Sequence, residues 1–121
     1  MGGLSLAEDT RNMAEQYVTE LYKKLKSRDS KTSGLLDILD VLIQVQKNLP
    51  TVKNPEALVN RCIQYIRSVA IKDKLYFPPA EENIIINLEV IGQKAGWNGS
   101  YMADFSDKSQ FYKLSESIPH H

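Results

Sequence analysis

Few residues in this 121-residue chain could carry chemistry. Asp37 and Asp40 stand three positions apart in an apolar stretch. That spacing puts both carboxylates on one side of a helix. Paired carboxylates exchange protons or hold a cation, but no histidine or third acid accompanies them, so a solvated helix face is the simpler reading. Glu81 and Glu82 form a second pair, accounted for by the positive end of a helix dipole. Cys62 is the single cysteine, which excludes an internal disulfide and a multi-thiolate zinc site. It falls within an apolar stripe and reads as a small core residue; a reactive thiol needs exposure and a nearby cation. The histidines are His120 and His121, at the end of the sequence. A Ser-His-Asp triad, a Cys-His dyad or a histidine-rich metal site would have to recruit that terminus, and chain ends are usually poorly ordered. Gly96-Trp97-Asn98-Gly99 lacks the lysine and following helix of a phosphate-binding loop. The expectation is a protein that is not an enzyme, with no catalytic, cofactor or metal site. An enzyme would have to rest on one of the carboxylate pairs, joined by a third acid in a deep pocket.

Binding is the better prospect, and charge indicates where. Lys and Arg total 15, as do Asp and Glu, so the formal net charge is zero. That balance argues against a nucleic-acid binder. The distribution is uneven. From Lys47 to Lys74 there are six basic residues (Lys47, Lys53, Arg61, Arg67, Lys72, Lys74) against two acidic (Glu56, Asp73), a local +4. From Ala80 onward there are three basic and six acidic, a local −3. Opposed regions of this kind mark a partner surface or steer the chain's own packing. As a surface, the basic region would dock on an anionic inner leaflet or on the cytosolic face of a membrane protein; as a solvated helix face it would need no partner. Arg61, Arg67, Lys72 and Lys74 are its candidate contacts. Trp97, Tyr101, Met102 and Phe105 are the candidates from the segment that follows, with Trp97 and Phe105 read chiefly as pins holding the tail to the protein.

The elements that position these residues follow from periodicity. A helix is predicted over about 5–28: Ser5 and Glu8 fit a capping box, and Ala14, Tyr17, Val18, Leu21, Tyr22 and Leu25 form one stripe. A second is predicted over about 34–49, apolar around more than half its circumference and stopped at Leu49-Pro50. The third, over about 55–74, has Asn54 as N-cap and Pro55 at its first position. Its stripe is Leu58, Val59, Cys62, Ile63, Ile66, Val69 and Ala70. The fourth, over about 79–95, begins at Pro79, has Ile84, Ile85, Leu88, Val90, Ile91 and Ala95 pointing inward or flanking the core, and ends at Gly96. A tail over 96–121 is too aromatic to be a solvated linker. Short connections between four helices favour an all-α, antiparallel up-down-up-down four-helix bundle, formed as a single domain over 1–121.

Hydrophobic residues at 42% and charged residues at 25% suit a soluble globular protein. Uninterrupted apolar runs such as Ile84-Ile85-Ile86 fall far short of the roughly 18 residues of a membrane span. The start, Met1 to Asp9, has no basic and apolar regions of a secretory signal, and Leu6 stands where a myristoylation site wants Ser or Thr. The expected location is the cytoplasm.

A family resemblance sharpens this. Lys72-Asp73-Lys74-Leu75-Tyr76-Phe77, then Ala80-Glu81-Glu82-Asn83, then Gly96-Trp97-Asn98 and Met102-Ala103-Asp104 follow an order that resembles the C-terminal half of the pediocin-type (class IIa) bacteriocin immunity proteins. Tyr17 to Leu25 and Leu36-Asp37-Ile38-Leu39 fit more loosely, so the resemblance spans about 10–105. It implies an antiparallel four-helix bundle that protects the producing cell from its own pore-forming peptide. It also implies action at the membrane components of the mannose phosphotransferase system, the bacteriocin's receptor, from the cytosolic side and with peripheral rather than integral membrane association. In the family the C-terminal half is tied to recognition of the cognate peptide; here that half begins near Asn54 and includes 72–77 and 96–104. Pro78-Pro79 departs from the Ser/Thr-type cap the family leads one to expect. A cytosolic adaptor binding a protein partner with the same bundle face is the alternative.

Overall fold

The computed structural model describes residues 6–95 and 107–121. Its order is α1 (Leu6–Lys26), α2 (Ser33–Asn48), α3 (Pro55–Asp73), α4 (Pro79–Gln93) and a short 3-10 turn, η1 (Lys108–Phe111). No strand occurs among the described residues. Each helix packs on the next, α4 closes back onto α1, and α1 also touches α3 across the middle. This is the all-α four-helix bundle expected from the periodicity.

The helix ends show why these segments begin and stop where they do. The α2 cap is Thr32, whose hydroxyl accepts from Leu35 N at 3.1 Å. The 27–33 stretch therefore does more than link: its last residues start a helix. Asn54 caps α3 as expected, its Oδ1 accepting from Ala57 N at 3.1 Å. Pro78 precedes α4 without any side-chain cap bond, and Pro79 supplies a pre-set φ at the first position. The cap proposed for Ser5 and the stop proposed for Gly96 lie outside the described residues; α4 already ends at Gln93. At the end of α3, Lys74 turns into the left-handed region at φ 54° and ψ 45°. Leu75 N closes the turn on Ala70 O at 2.9 Å. Glycine usually takes that position, because a Cβ there is strained.

The core is built from the predicted stripes. Val18, Leu21 and Leu25 of α1, Ile38, Leu42 and Val45 of α2, Ile63 and Ile66 of α3, and Ile85 and Leu88 of α4 are all essentially inaccessible. Each such side chain contributes about 1.5–3 kcal/mol relative to leaving it in water. Of the α4 residues expected to point inward or flank the core, Val90 is 51% exposed and does not point inward. Gly92 lets α4 approach α3 closely, for a Cβ there would stand 2.9 Å from Asn60 Cα. Gly34 does the same for Asp73, whose carboxylate a Cβ would strike. That carboxylate thus lies over the first turn of α2, where the helix dipole favours it.

Candidate functional site

The basic residues of α3 do not form one free surface. Arg67 is engaged within the protein: its two terminal nitrogens donate to Glu82 at 2.9 and 2.8 Å, and its Nε donates to Glu89 at 2.9 Å. The bonds from Glu82, then Glu89, hold the guanidinium pKa up, and the bond from Arg67 holds the Glu82 carboxyl below its usual range. Here the basic and acidic regions of the sequence steer packing of α3 on α4. Arg61, nearer the start of α3, lines a cleft of about 290 Å³ with Asn48, Leu58, Phe111 and Lys113. Lys72 and Lys74 are exposed at the far end and make no ion pair among the described residues. Trp97, Tyr101, Met102 and Phe105 lie outside the described residues.

Both carboxylate pairs meet cations rather than a third acid. Arg28, from the loop after α1, grips Glu81, which is 7% exposed, and also donates to Tyr76 O at 2.8 Å. Its guanidinium carbon stands 5.7 Å from the centroid of the Phe77 ring. Glu81 and Glu82 therefore do more than complement a dipole: each anchors α4 to another element. Asp37 and Asp40 share Lys108, whose Nζ stands 2.8 and 3.1 Å from them. They are not a solvated face.

The tail from 107 onward lies along α2 and α3. Phe111 is 5% exposed and meets Tyr65 edge to face, ring centroids 5.6 Å apart. Burial, then the nearby Asp37, pushes the Tyr65 phenol above its usual range. Gln44 donates to Phe111 O at 3.0 Å, and Glu116 accepts from Lys113 N and from Lys47 Nζ, each at 2.6 Å. These bonds, with Gln44 assisting, hold the Glu116 carboxyl down at about 2. His121 Nε2 lies 2.6 Å from Asp40. The terminus that seemed an improbable partner is thus placed against a carboxylate. Asp37, Asp40 and His121 present ligand atoms within 4.8 Å of one another. The Lys108 ammonium already supplies the positive charge there, so a metal ion would have to displace it. Cys62 is buried, as read from its stripe, and burial pushes its thiol up to about 12, away from nucleophilic use at neutral pH.

Two residues escaped the sequence reading. Ile71 is 80% exposed and Tyr76 is 72% exposed. With Arg67, Ala70, Leu75, Phe77 and Glu82 they line an open groove of about 420 Å³, while Lys72 lines a separate cleft with Asp37, Asp73 and Asp107. A signal was present: Ile71 falls one position off the α3 apolar stripe, and Tyr76 lies in a connection too short to fold over it.

The model of the bacteriocin immunity protein family matches residues 12–93, more than half of the chain. The chain belongs to that family. Among curated relatives it is 53% identical over 103 residues to a probable leucocin-A immunity protein of Leuconostoc gelidum, covering 85% of this chain and 90% of the relative. It is 51% identical over 107 residues to a probable mesentericin-Y105 immunity protein of Leuconostoc mesenteroides, covering 88% and 90%. No solved structure matches significantly. The family match takes in α2, α3, α4 and most of α1, including Arg67, Lys72, Lys74 and the exposed pair Ile71 and Tyr76. It stops before η1, so the tail residues Lys108 and Glu116, which pair with Asp37, Asp40 and Lys47, lie beyond the match. No described helix is long and apolar enough to cross a membrane.

Proposed function

We propose that this immunity protein protects its cell against a class IIa bacteriocin by docking, from the cytosolic side, on the bacteriocin's receptor, the membrane components of the mannose phosphotransferase system. The observation that carries the protective role is identity above half to two immunity proteins across nearly their whole length. The docking surface is the end of α3 with the following connection. Lys72 and Lys74 make no ion pair among the described residues, whereas Arg67 is held by Glu82 and Glu89 and contributes position rather than contact. Bound at the receptor, a rigid bundle of this size would block the pore by occupying its inner side.

Expression in a sensitive Gram-positive host, followed by challenge with a panel of class IIa bacteriocins, tests the protective role. Survival against one member of the panel is the expected result. Sensitivity to every member, with folded protein present, would reject it. Capture of the receptor's membrane components from bacteriocin-treated cells tests the site of action. The doubly reversed variant Lys72→Glu/Lys74→Glu should lose both capture and protection; retention of both would reject the docking surface.

A further inference from the structure

The groove lined by Ile71 and Tyr76 lies at one end of the bundle, and that end has a composition distinct from the rest. Arg28 joins the connection after α1 to the connection after α3 through Tyr76 O, Glu81 and the Phe77 ring. The two connections therefore form one continuous tip. Lys26, Lys31, Lys72 and Lys74 are exposed on it, with Lys26 Nζ 5.4 Å from the centroid of the Tyr22 ring and Lys31 Nζ donating to Arg28 O at 2.6 Å. Opposing charge is scarce within the two connections themselves, although Lys72 also lines a cleft with Asp37, Asp73 and Asp107 on the α2 side. Glu81 is buried under Arg28, Asp73 lies against Gly34, and Glu82 is taken by Arg67, which leaves Asp29 as the exposed acid of the two connections. Among these cations stand Ile71 and Tyr76, at 80% and 72% exposure.

Lys74 adds an independent sign. It is the non-glycine residue with positive φ among those described, at 54°. A glycine would relieve that strain, and the lysine keeps a cation at the apex of the tip instead. Strain retained at an exposed position points to a use for the side chain.

We infer that this tip seats on an anionic phospholipid bilayer, with Ile71 and Tyr76 entering the headgroup region and Lys26, Lys31, Lys72 and Lys74 facing the lipid phosphates. The arrangement matches the chemistry of such a surface. Tyrosine is favoured at the water–lipid boundary, where its ring is apolar and its hydroxyl wet. An aliphatic side chain at a curved tip reaches the acyl boundary without unfolding anything. Lysines add attraction to anionic headgroups, and salt screens it. The inference rests on the proposed site of action at the membrane and orients the bundle there: the 27–32 and 74–78 connections point to lipid and the opposite end points to the cytoplasm.

Flotation of the full chain with vesicles of phosphatidylglycerol and phosphatidylcholine, at low and at high salt, tests it. The expected result is binding to phosphatidylglycerol vesicles that weakens with salt, with little binding to phosphatidylcholine alone. Lys72→Ala/Lys74→Ala should weaken that binding about tenfold or more. Ile71→Ser/Tyr76→Ser should weaken it while leaving the salt dependence in place. All four positions are exposed, so the variants should keep the wild-type helical circular dichroism. Equal binding to both lipids, or binding unaffected by either double variant, would overturn the inference. So would an absence of vesicle binding in a protein that still protects cells and is captured with the receptor; contact with protein alone would then account for the tip, and the proposed function would stand. A parent chain that binds these vesicles but neither protects cells nor is captured with the receptor would count instead against the proposed function.

Discussion

Tyr65 and Tyr76 sit on opposite sides of the same question. Tyr65 is 2% exposed, its ring against Phe111 and its neighbour Arg67 held by two glutamates. Tyr76 is 72% exposed, and Lys72 and Lys74 are exposed and make no ion pair among the described residues. Both stretches combine aromatic and basic residues, and composition alone does not separate them. The difference comes from what the rest of the chain brings to each. The tail and α4 supply an aromatic ring and carboxylates to the first, and nothing among the described residues covers the second. Charge and aromaticity become an interaction surface only where the fold leaves them unanswered.

The largest change that breaks this contrast is Phe111→Ala. Removing the ring that covers Tyr65 should cost about 3 kcal/mol by urea unfolding, within the usual range for a buried phenylalanine. Tyr76→Ala, the matching change at the open end, should move stability by no more than about 0.5 kcal/mol. Equal losses would mean that the two aromatic residues are not in different environments.

Next in size is Arg28→Ala. It leaves the buried Glu81 without its cation and unties the two connections that make the tip. A loss of about 2 kcal/mol is expected, below that for a fully buried pair because Arg28 reaches solvent. Arg28→Ala/Glu81→Gln should recover part of it, since the stranded charge is gone. Unfolding curves of the single and double variants measure this, and no recovery would show that the pair does not carry the cost.

The elements of the bundle were legible in the sequence because each helix bears an apolar stripe and local stop signals. Asn54-Pro55 starting α3 and Leu49-Pro50 after α2 act through their own backbones and need no distant partner. The roles of the charged residues were legible only in part. Asp37 and Asp40 looked solvated because Lys108 is about seventy residues away in sequence, and no periodic pattern announces such a meeting. Arg67 looked available for the same reason. The opposed charges of the two regions hinted at mutual pairing, and the structure shows this at Arg67 with Glu82 and Glu89, and at Lys47 with Glu116. Ile71 was hidden by a different rule: a single exposed aliphatic is ordinary, and it gains meaning only beside Tyr76 and the lysines.

Lys74→Gly separates stability from use at the open end. Relief of the left-handed strain should raise stability by about 1 kcal/mol, less whatever glycine gains in the unfolded chain. The same change removes a free cation, so lipid binding should fall as stability rises. Thermal unfolding and vesicle flotation on one preparation read both. A variant that is more stable and binds as well as the parent would show that the lysine at this turn has no role at the surface.

The smallest effect is confined to the covered end and comes from acid. The Glu116 carboxyl is held at about 2 in the folded chain, against an ordinary 4.5. Its backbone bond from Lys113 and its pairing with Lys47 both favour the charged form. A depressed folded value means that the contribution to tail docking is complete above the ordinary carboxyl range, declines as pH falls below about 4.5, and is gone once pH passes about 2. Amide exchange at Tyr112, whose N–H is bonded to Ser109 O at 3.0 Å, reports that docking. Protection there should weaken on moving from pH 6 to pH 3, and Glu116→Gln should start weaker and lose this part of the pH dependence. The exposed tip takes no part in these contacts, so the acid-sensitive end and the tip should respond independently. A parallel loss of helix at the tip would show instead that the tail and the bundle open as one unit.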